Sequence, residues 1–200
     1  YMGFINECFS AFKKECKEDN WAIEEAIDHY INAVLQQGLL ELRGLSLVVL
    51  IDFLTGRYEE KHDMEYLLNE KSFKKEGKKL HKSIKQLLEK HFSQNDVIKR
   101  EGDLGSFPKV LKLMTGKYKE LNRSSFSTVL NQACLSLNLN IKDEELAKVV
   151  KIRNKLVHTA RFFDQGETDG AWQNTEDKMG QYSRIRNFVG CMLLAILGHR

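Results

Sequence analysis

The sequence predicts an all-α fold: a helical bundle with additional peripheral helices, forming one domain over residues 1–200. Three observations carry that expectation. Apolar residues recur with the 3.6-residue period of a helix from end to end, while sustained strand-type alternation is missing. Pro108 is the only proline, which favours long uninterrupted helices over a turn-rich β architecture. A length of 200 residues with 42% apolar content suffices for a core without disulfide or metal staples.

Taken in order, helices are expected at about 1–17, 21–37, 38–56, 75–92, 107–120, 125–137, 142–161 and 175–198. The first carries polar residues already at Asn6 and Glu7, so it does not read as a signal peptide. Asp19 and Asn20 stand where they could cap the second. The third contains "LSLVVLIDFL" (45–54) and the last "FVGCMLLAIL" (188–197). Each run is about half of what a membrane span requires, so no membrane partner is expected. The fourth helix gathers lysines on one side and Phe73, Leu80, Ile84, Leu87 and Leu88 on the other, with Gly77 weakening its first turn. Asp143, Glu144 and Glu145 supply favourable acid to the first turn of the seventh. The last helix is expected to pack back onto the bundle. Polar stretches at 57–72, 93–106 and 164–174 read as loops.

Composition bounds the function loosely. A net charge of +3 is too small to demand a polyanionic partner by itself. Cys8, Cys16, Cys134 and Cys191 form no C-x-x-C pair and no zinc spacing. Reduced thiols in a cytoplasmic protein are the expected state, with no metal and no cofactor. The chain starts at Tyr1 rather than methionine, which suggests the C-terminal part of a longer protein.

Two charges stand in unexpected places. On the helix "DEELAKVVKIRNKLVHTARF", Leu146, Val149, Val150, Leu156 and Val157 form an apolar face, and Arg153 falls close to its centre. Asn154 and His158, four residues apart, share the flank of that face. Lys148, Lys151 and Lys155 occupy the opposite side. A guanidinium cannot shed its proton, so burying it alone costs several kcal/mol and an anion is required. Asp52 follows Leu45, Val48 and Val49 at helical spacing, an acid on an apolar stripe with the matching need. The two helices are therefore expected to meet through Asp52 and Arg153. A purely structural ion pair would satisfy the same physics.

At this point the residues resemble a family. "RNKLVH" (153–158) is similar to the R-x(4–6)-H motif of HEPN domains, with the polar residue that often follows the arginine. "LELRGLSLVVLIDFL" resembles their acid-bearing helix, and "RNFVGCMLLAILG" resembles the last helix of the ApeA-like, anti-phage branch. The bare spacing is unspecific. With the chain's arginines and histidines, four to six intervening residues match about 0.8 times by chance. "RYEEKH", Arg57 to His62, is such a match. Requiring asparagine after the arginine lowers the expectation to about 0.02, which favours residues 153–158.

The resemblance implies an all-α, metal-independent endoribonuclease in which the ribose 2′-OH attacks the adjacent phosphate, leaving a 2′,3′-cyclic phosphate and a 5′-OH. In it, His158 would transfer protons, Arg153 would brace the phosphate, Asn154 would orient the histidine or the substrate, and Asp52 would hold Arg153. One motif histidine per chain is awkward for a two-proton reaction. A two-fold homodimer with two motifs at a shared cleft is therefore implied, formed partly by residues 142–161. The biology implied is a toxin or abortive-infection effector in bacterial anti-phage defence, restrained by an antitoxin or a sensor domain. The alternative is a non-catalytic HEPN module that binds RNA or nucleotide, or dimerises, within a larger protein. For His158 the plain alternative is a helix-end histidine on the C-terminal dipole.

Residues 71–91, "KSFKKEGKKLHKSIKQLLEKH", add a second basic feature. Lys75, Lys78, Lys79 and Lys82 could attract an RNA backbone without sequence preference. A solvated lysine face is the alternative there.

Overall fold

The computed structural model describes residues 2–19, 21–67, 70–92, 107–117, 122–162 and 171–199. They form helices α1 (Met2–Glu18), α2 (Ile23–Leu35), α3 (Leu40–His62), α4 (Glu70–His91), α5 (Phe107–Gly116), α6 (Phe126–Ser136), α7 (Asp143–Thr159) and α8 (Ala171–Ile196). Among the described residues the only β feature is an isolated antiparallel bridge between Tyr66 and Arg123. The fold is all-α. No helix of the described residues is long and apolar enough to cross a membrane.

The chain divides into two compact units, one of residues 1–62 with 125–200 and the other of residues 63–124. In the first unit α3 is the central element and packs against α2, α6, α7 and α8. Leu47, Val48, Leu50, Ile51 and Leu54 are all fully buried. Those positions make one wide face of the helix, and Val49, on the other side, is exposed. Each buried side chain contributes about 1.5–3 kcal/mol by leaving water.

Polar contacts fix the N-terminal end of α3. Arg43 Nη2 donates to the Val34 carbonyl in the last turn of α2 and to the Tyr182 hydroxyl of α8, each at 2.8 Å. Its guanidinium also lies 4.7 Å over the Tyr182 ring. Lys178 of α8 reaches Glu41 at 2.6 Å. Burial alone would raise the Glu41 carboxyl, but the hydrogen bond from Lys178, a backbone hydrogen bond and the charges of Lys178 and Arg161 together outweigh it and hold the group below its ordinary value. Stability from this pair is therefore complete above the ordinary carboxylate pKa of about 4.3 and is lost as pH falls through the lowered folded value. Glu41→Gln is expected to cost about 1 kcal/mol at neutral pH. In thermal melts the gap to wild type should close in acid; a constant gap across the profile would refute the assignment.

Three of the departures from the expected helix ends have a local reason. Asp19 does not cap α2, and Asn20 lies outside the described residues. The N-cap of α2 is Ala22, in the left-handed region at φ 46°, without a side-chain cap. Asp19 instead ends α1, with its N–H on the Glu15 carbonyl at 2.8 Å. Between them Trp21 is buried and stacks on Tyr58 of α3, so the chain enters α2 where that ring demands. Second, α3 continues to His62, and the expected loop at 57–72 begins only after it. Arg57 is held there by the Asp19 carbonyl at 2.6 Å and by Glu60 at 3.6 Å, while the His62 ring lies 4.2 Å from that of Tyr58. Third, α7 ends at Thr159 because Ala160 adopts φ 52°, its N–H closing on Leu156. The turn brings Phe162 back into the core, fully buried.

In the second unit α4 packs with α5. It begins at Glu70 rather than 75, so Gly77 lies inside the helix and does not limit its start. The expected loop at 93–106 and most of that at 164–174 lie outside the described residues; α8 is already helical from Ala171.

Candidate functional site

The site is built where α3, α6 and α7 come together. On α7 the buried residues are Leu146, Val149, Ile152 and Leu156. Val157, expected on the apolar face, is exposed, and Val150 is half-buried. The buried sector is therefore turned toward Ile152, because α7 packs against α8 as well as α3. Arg153 consequently sits at the edge of the apolar stripe rather than at its centre, with 21% of its side chain exposed. An edge position lets it pair with protein on one side and reach solvent on the other.

Asp52 and Arg153 meet directly. Arg153 Nε donates to Asp52 Oδ1 at 2.9 Å and Nη2 donates to Oδ2 at 2.7 Å. This two-point pairing fixes the plane of the guanidinium as well as its position. The ring of Phe126, the first residue of α6, lies beneath it with the guanidinium carbon 4.5 Å from the centroid. Arg153 Nη1 donates to Asn154 Oδ1 at 3.0 Å. Three of the five guanidinium N–H donors are thus used, which leaves one on each terminal nitrogen. Accepting through its oxygen also orients Asn154, whose NH₂ keeps its donor capacity.

Beside this cluster a groove of about 830 Å³ runs between α6 and α7. Asn154 and His158 both border it, one helical turn apart, together with Lys151 and Lys155. Leu146, Ala147 and Val150 give it an apolar strip. His158 is exposed in the last turn of α7, and among the described residues no hydrogen bond joins it to Arg153 or Asn154. The structure therefore gathers Asp52, Arg153 and Asn154 into one bonded cluster, and sets His158 on the groove that begins at Asn154.

Sequence reasoning missed the facing wall, formed by Ser127, Thr128, Asn131 and Gln132 of α6. Their spacing is the signal that could have found them: polar residues at i, i+1, i+4 and i+5 make one face of a helix. The opposite face of α6 carries Val129, Leu130, Ala133 and Cys134 into the core. Burial pushes the Cys134 thiol up to about 11, so it is no thiolate nucleophile at neutral pH.

Comparison of the chain with family models, with curated proteins and with solved structures gives no match. Among the described residues no group of three or more His, Cys, Asp and Glu side chains is arranged to hold a metal ion. Lys75, Lys78, Lys79 and Lys82 belong to α4 in the second unit, where all four are exposed and Lys79 is bonded to Glu76 at 3.0 Å. Leu80 and Leu87, on the side of that helix away from the lysines, are themselves exposed.

Proposed function

We propose that the chain is a metal-independent endoribonuclease of the HEPN type, cleaving RNA by attack of the 2′-OH on the neighbouring phosphate. The observation that carries this reading is the Asp52–Arg153–Asn154 cluster opening onto the groove that His158 borders. Such a reaction needs a proton-transfer group near neutral pH and fixed donors on the developing phosphorane charge. His158 is the proton-transfer group, and imidazole is the side chain whose ordinary pKa suits the task. Arg153 offers its two remaining N–H donors to the phosphate, and Asn154 its amide. Asp52 is a positioning residue, holding the guanidinium in a defined plane. A second proton-transfer group would come from His158 of a second copy, in a two-fold homodimer formed partly by α7. The exposed Val157 beside His158 supports an interface there. The proposed setting is the bacterial cytoplasm, as an anti-phage toxin or abortive-infection effector restrained by an antitoxin or a sensor domain.

The test is incubation with RNA in EDTA, comparing wild type with Arg153→Ala and His158→Ala. Each variant is expected to lose at least about a hundredfold in cleavage rate, the usual worth of a proton-transfer group or fixed donor. Cleavage that persists at the wild-type rate in both would sink the site.

One observation favours a second reading, a non-catalytic HEPN module that binds RNA or nucleotide, or dimerises, within a larger protein. His158 has no hydrogen-bond partner among the described residues to orient its ring, whereas a catalytic histidine is generally held by a neighbour. That reading expects RNA binding in the same assay with no cleavage by the wild type.

A further inference from the structure

The α6 wall of the groove carries Ser127, Thr128, Asn131 and Gln132, but only part of it is free to meet a ligand. Ser127 and Thr128 spend their hydroxyls on the N-cap of α6, at 3.0 and 2.8 Å from Ser125 Oγ. The amides of Asn131 and Gln132 make no hydrogen bond among the described residues. Gln132 is exposed, whereas Asn131 is half-buried. A half-buried amide with its donors and its acceptor unspent has given up hydration without gaining a partner.

The place of Asn131 along the groove follows from the chain. Residues 137–142 join α6 to α7, a connection short enough to make the two helices antiparallel neighbours. Phe126, at the start of α6, lies against Arg153. Asn131 stands about 7.5 Å further along α6, toward the N-terminal half of α7, at about 1.5 Å per residue. His158 lies about 7.5 Å from Arg153 in the opposite direction. The order along the groove is therefore His158, then the Arg153–Asn154 pair, then Asn131. Across from Asn131 the groove is apolar, with Ala147 and Val150 on α7. An apolar strip opposite an amide takes a planar group by its face while the amide meets its edge. A phosphate gains nothing from such a surface; a nucleobase does.

We propose that Asn131 reads the base of the nucleotide whose phosphate Arg153 braces, and that the base it selects is adenine. This rests on the RNA reading above, but not on cleavage. An amide offers an acceptor beside its donors, so it pairs by two hydrogen bonds with a base edge that offers a donor beside an acceptor. Adenine does so on both of its edges, N6–H with N1 and N6–H with N7, and fits whichever way it enters the groove. Guanine, cytosine and uracil match on one edge only. The other edge of guanine, N7 with O6, suits a cation such as the exposed Lys151 on the rim of the groove. Asn131 is thus a specificity-determining residue that touches the base and not the reacting atoms.

Anisotropy of labelled 2′-O-methyl oligouridylates, uniform or with one central adenine, guanine or cytosine, measures the preference without cleavage. The wild-type protein is expected to bind the adenine oligomer about tenfold more tightly than the others, the order of discrimination that a two-point amide–base pair supplies. Asn131→Ala should abolish that preference. Asn131→Asp keeps the shape but leaves acceptors only, and should move the preference to cytosine, whose N4 amino group donates. A structural role for Asn131 would weaken all the oligomers alike and could not exchange one base for another. Circular dichroism melts identify a variant that fails to fold, and the wild-type comparison then carries the test. Equal binding of the oligomers by wild type overturns the assignment. So does an adenine preference that survives Asn131→Ala, or a guanine preference, which would pass the role to Lys151. Cleavage of unmodified RNA in EDTA, run in parallel, separates the two ideas. Cutting that depends on Arg153 and His158 without base preference ends the adenine reading and leaves the nuclease. Adenine preference without cutting does the reverse, and RNA that is neither bound nor cut removes both.

Discussion

Asp52→Asn is expected to lower RNA cleavage by about a hundredfold, although Asp52 touches no substrate in the proposed mechanism. The carboxylate accepts from Nε and Nη2 of Arg153 at 2.9 and 2.7 Å, which fixes the guanidinium plane. An asparagine of the same shape can accept from only one of those nitrogens and turns an N–H toward the other. Arg153 then swings, and a displacement of about 1 Å at a reacting centre is worth a hundredfold. The loss should fall mainly on kcat, since misplaced donors act on the transition state more than on binding. Stability should change much less, by about 1–2 kcal/mol, because Arg153 is 21% and Asp52 35% exposed and water stabilises the broken pair. Single-turnover kinetics set against a chemical melt separates the two roles. A rate that drops only in proportion to the unfolded fraction would make Asp52 purely structural.

Gly44→Val carries the largest expected effect on the fold. Gly44 lies inside α3, where glycine is about 1 kcal/mol worse than alanine, so its presence needs a reason. A Cβ at this position would stand 2.6 Å from Phe162 Cζ and 3.2 Å from Leu156 Cδ1. Both side chains are buried, Phe162 completely, and a ring 2.6 Å away has to shift to admit the new carbon. Overpacking of this kind costs about 1–3 kcal/mol, and a β-branched residue adds a few tenths through helix propensity. The expected total of about 2–3 kcal/mol corresponds to a melting point lower by about 5–10 °C for a chain of this size. Because Phe162 follows the left-handed turn that ends α7, the same substitution should also disturb the Arg153 helix. A Gly44→Val protein that melts with wild type would show that Phe162 does not hold that turn.

These two predictions differ in how much of their basis could be read from the chain. The partnership of Asp52 and Arg153 could be: each is a lone charge at a core-side position of its own helix, and electrostatics forbids leaving either unpaired. The contact between Gly44 and Phe162 could not, since no pattern of hydropathy says which ring fills the gap above a helical glycine. Phe126 beneath Arg153 was invisible for the same reason. The orientation of α7 was only half legible. Periodicity identified a buried stripe, but its angular centre shifted toward Ile152 once α8 packed beside α3, leaving Val157 exposed and Arg153 at the edge. The expected Asp19 cap of α2 failed where a tertiary contact, Trp21 on Tyr58, outweighed the local preference of the aspartate.

By itself the sequence determined what is local or obligatory: the all-α class, the helices as periodic segments, and the need for Asp52 and Arg153 to meet. Period and charge neutrality are properties of residue order and chemical type, so they survive without knowledge of neighbours. The tertiary structure decided what depends on which surfaces face each other. It set Asn131 and Gln132 across a groove from His158. It also bound Arg57 to Asp19 and Glu60, so that the arginine of "RYEEKH" ties α3 to the residue that follows α1. Two identical spacings of arginine and histidine thus acquired different surroundings, because spacing along one helix says nothing of the helices packed against it.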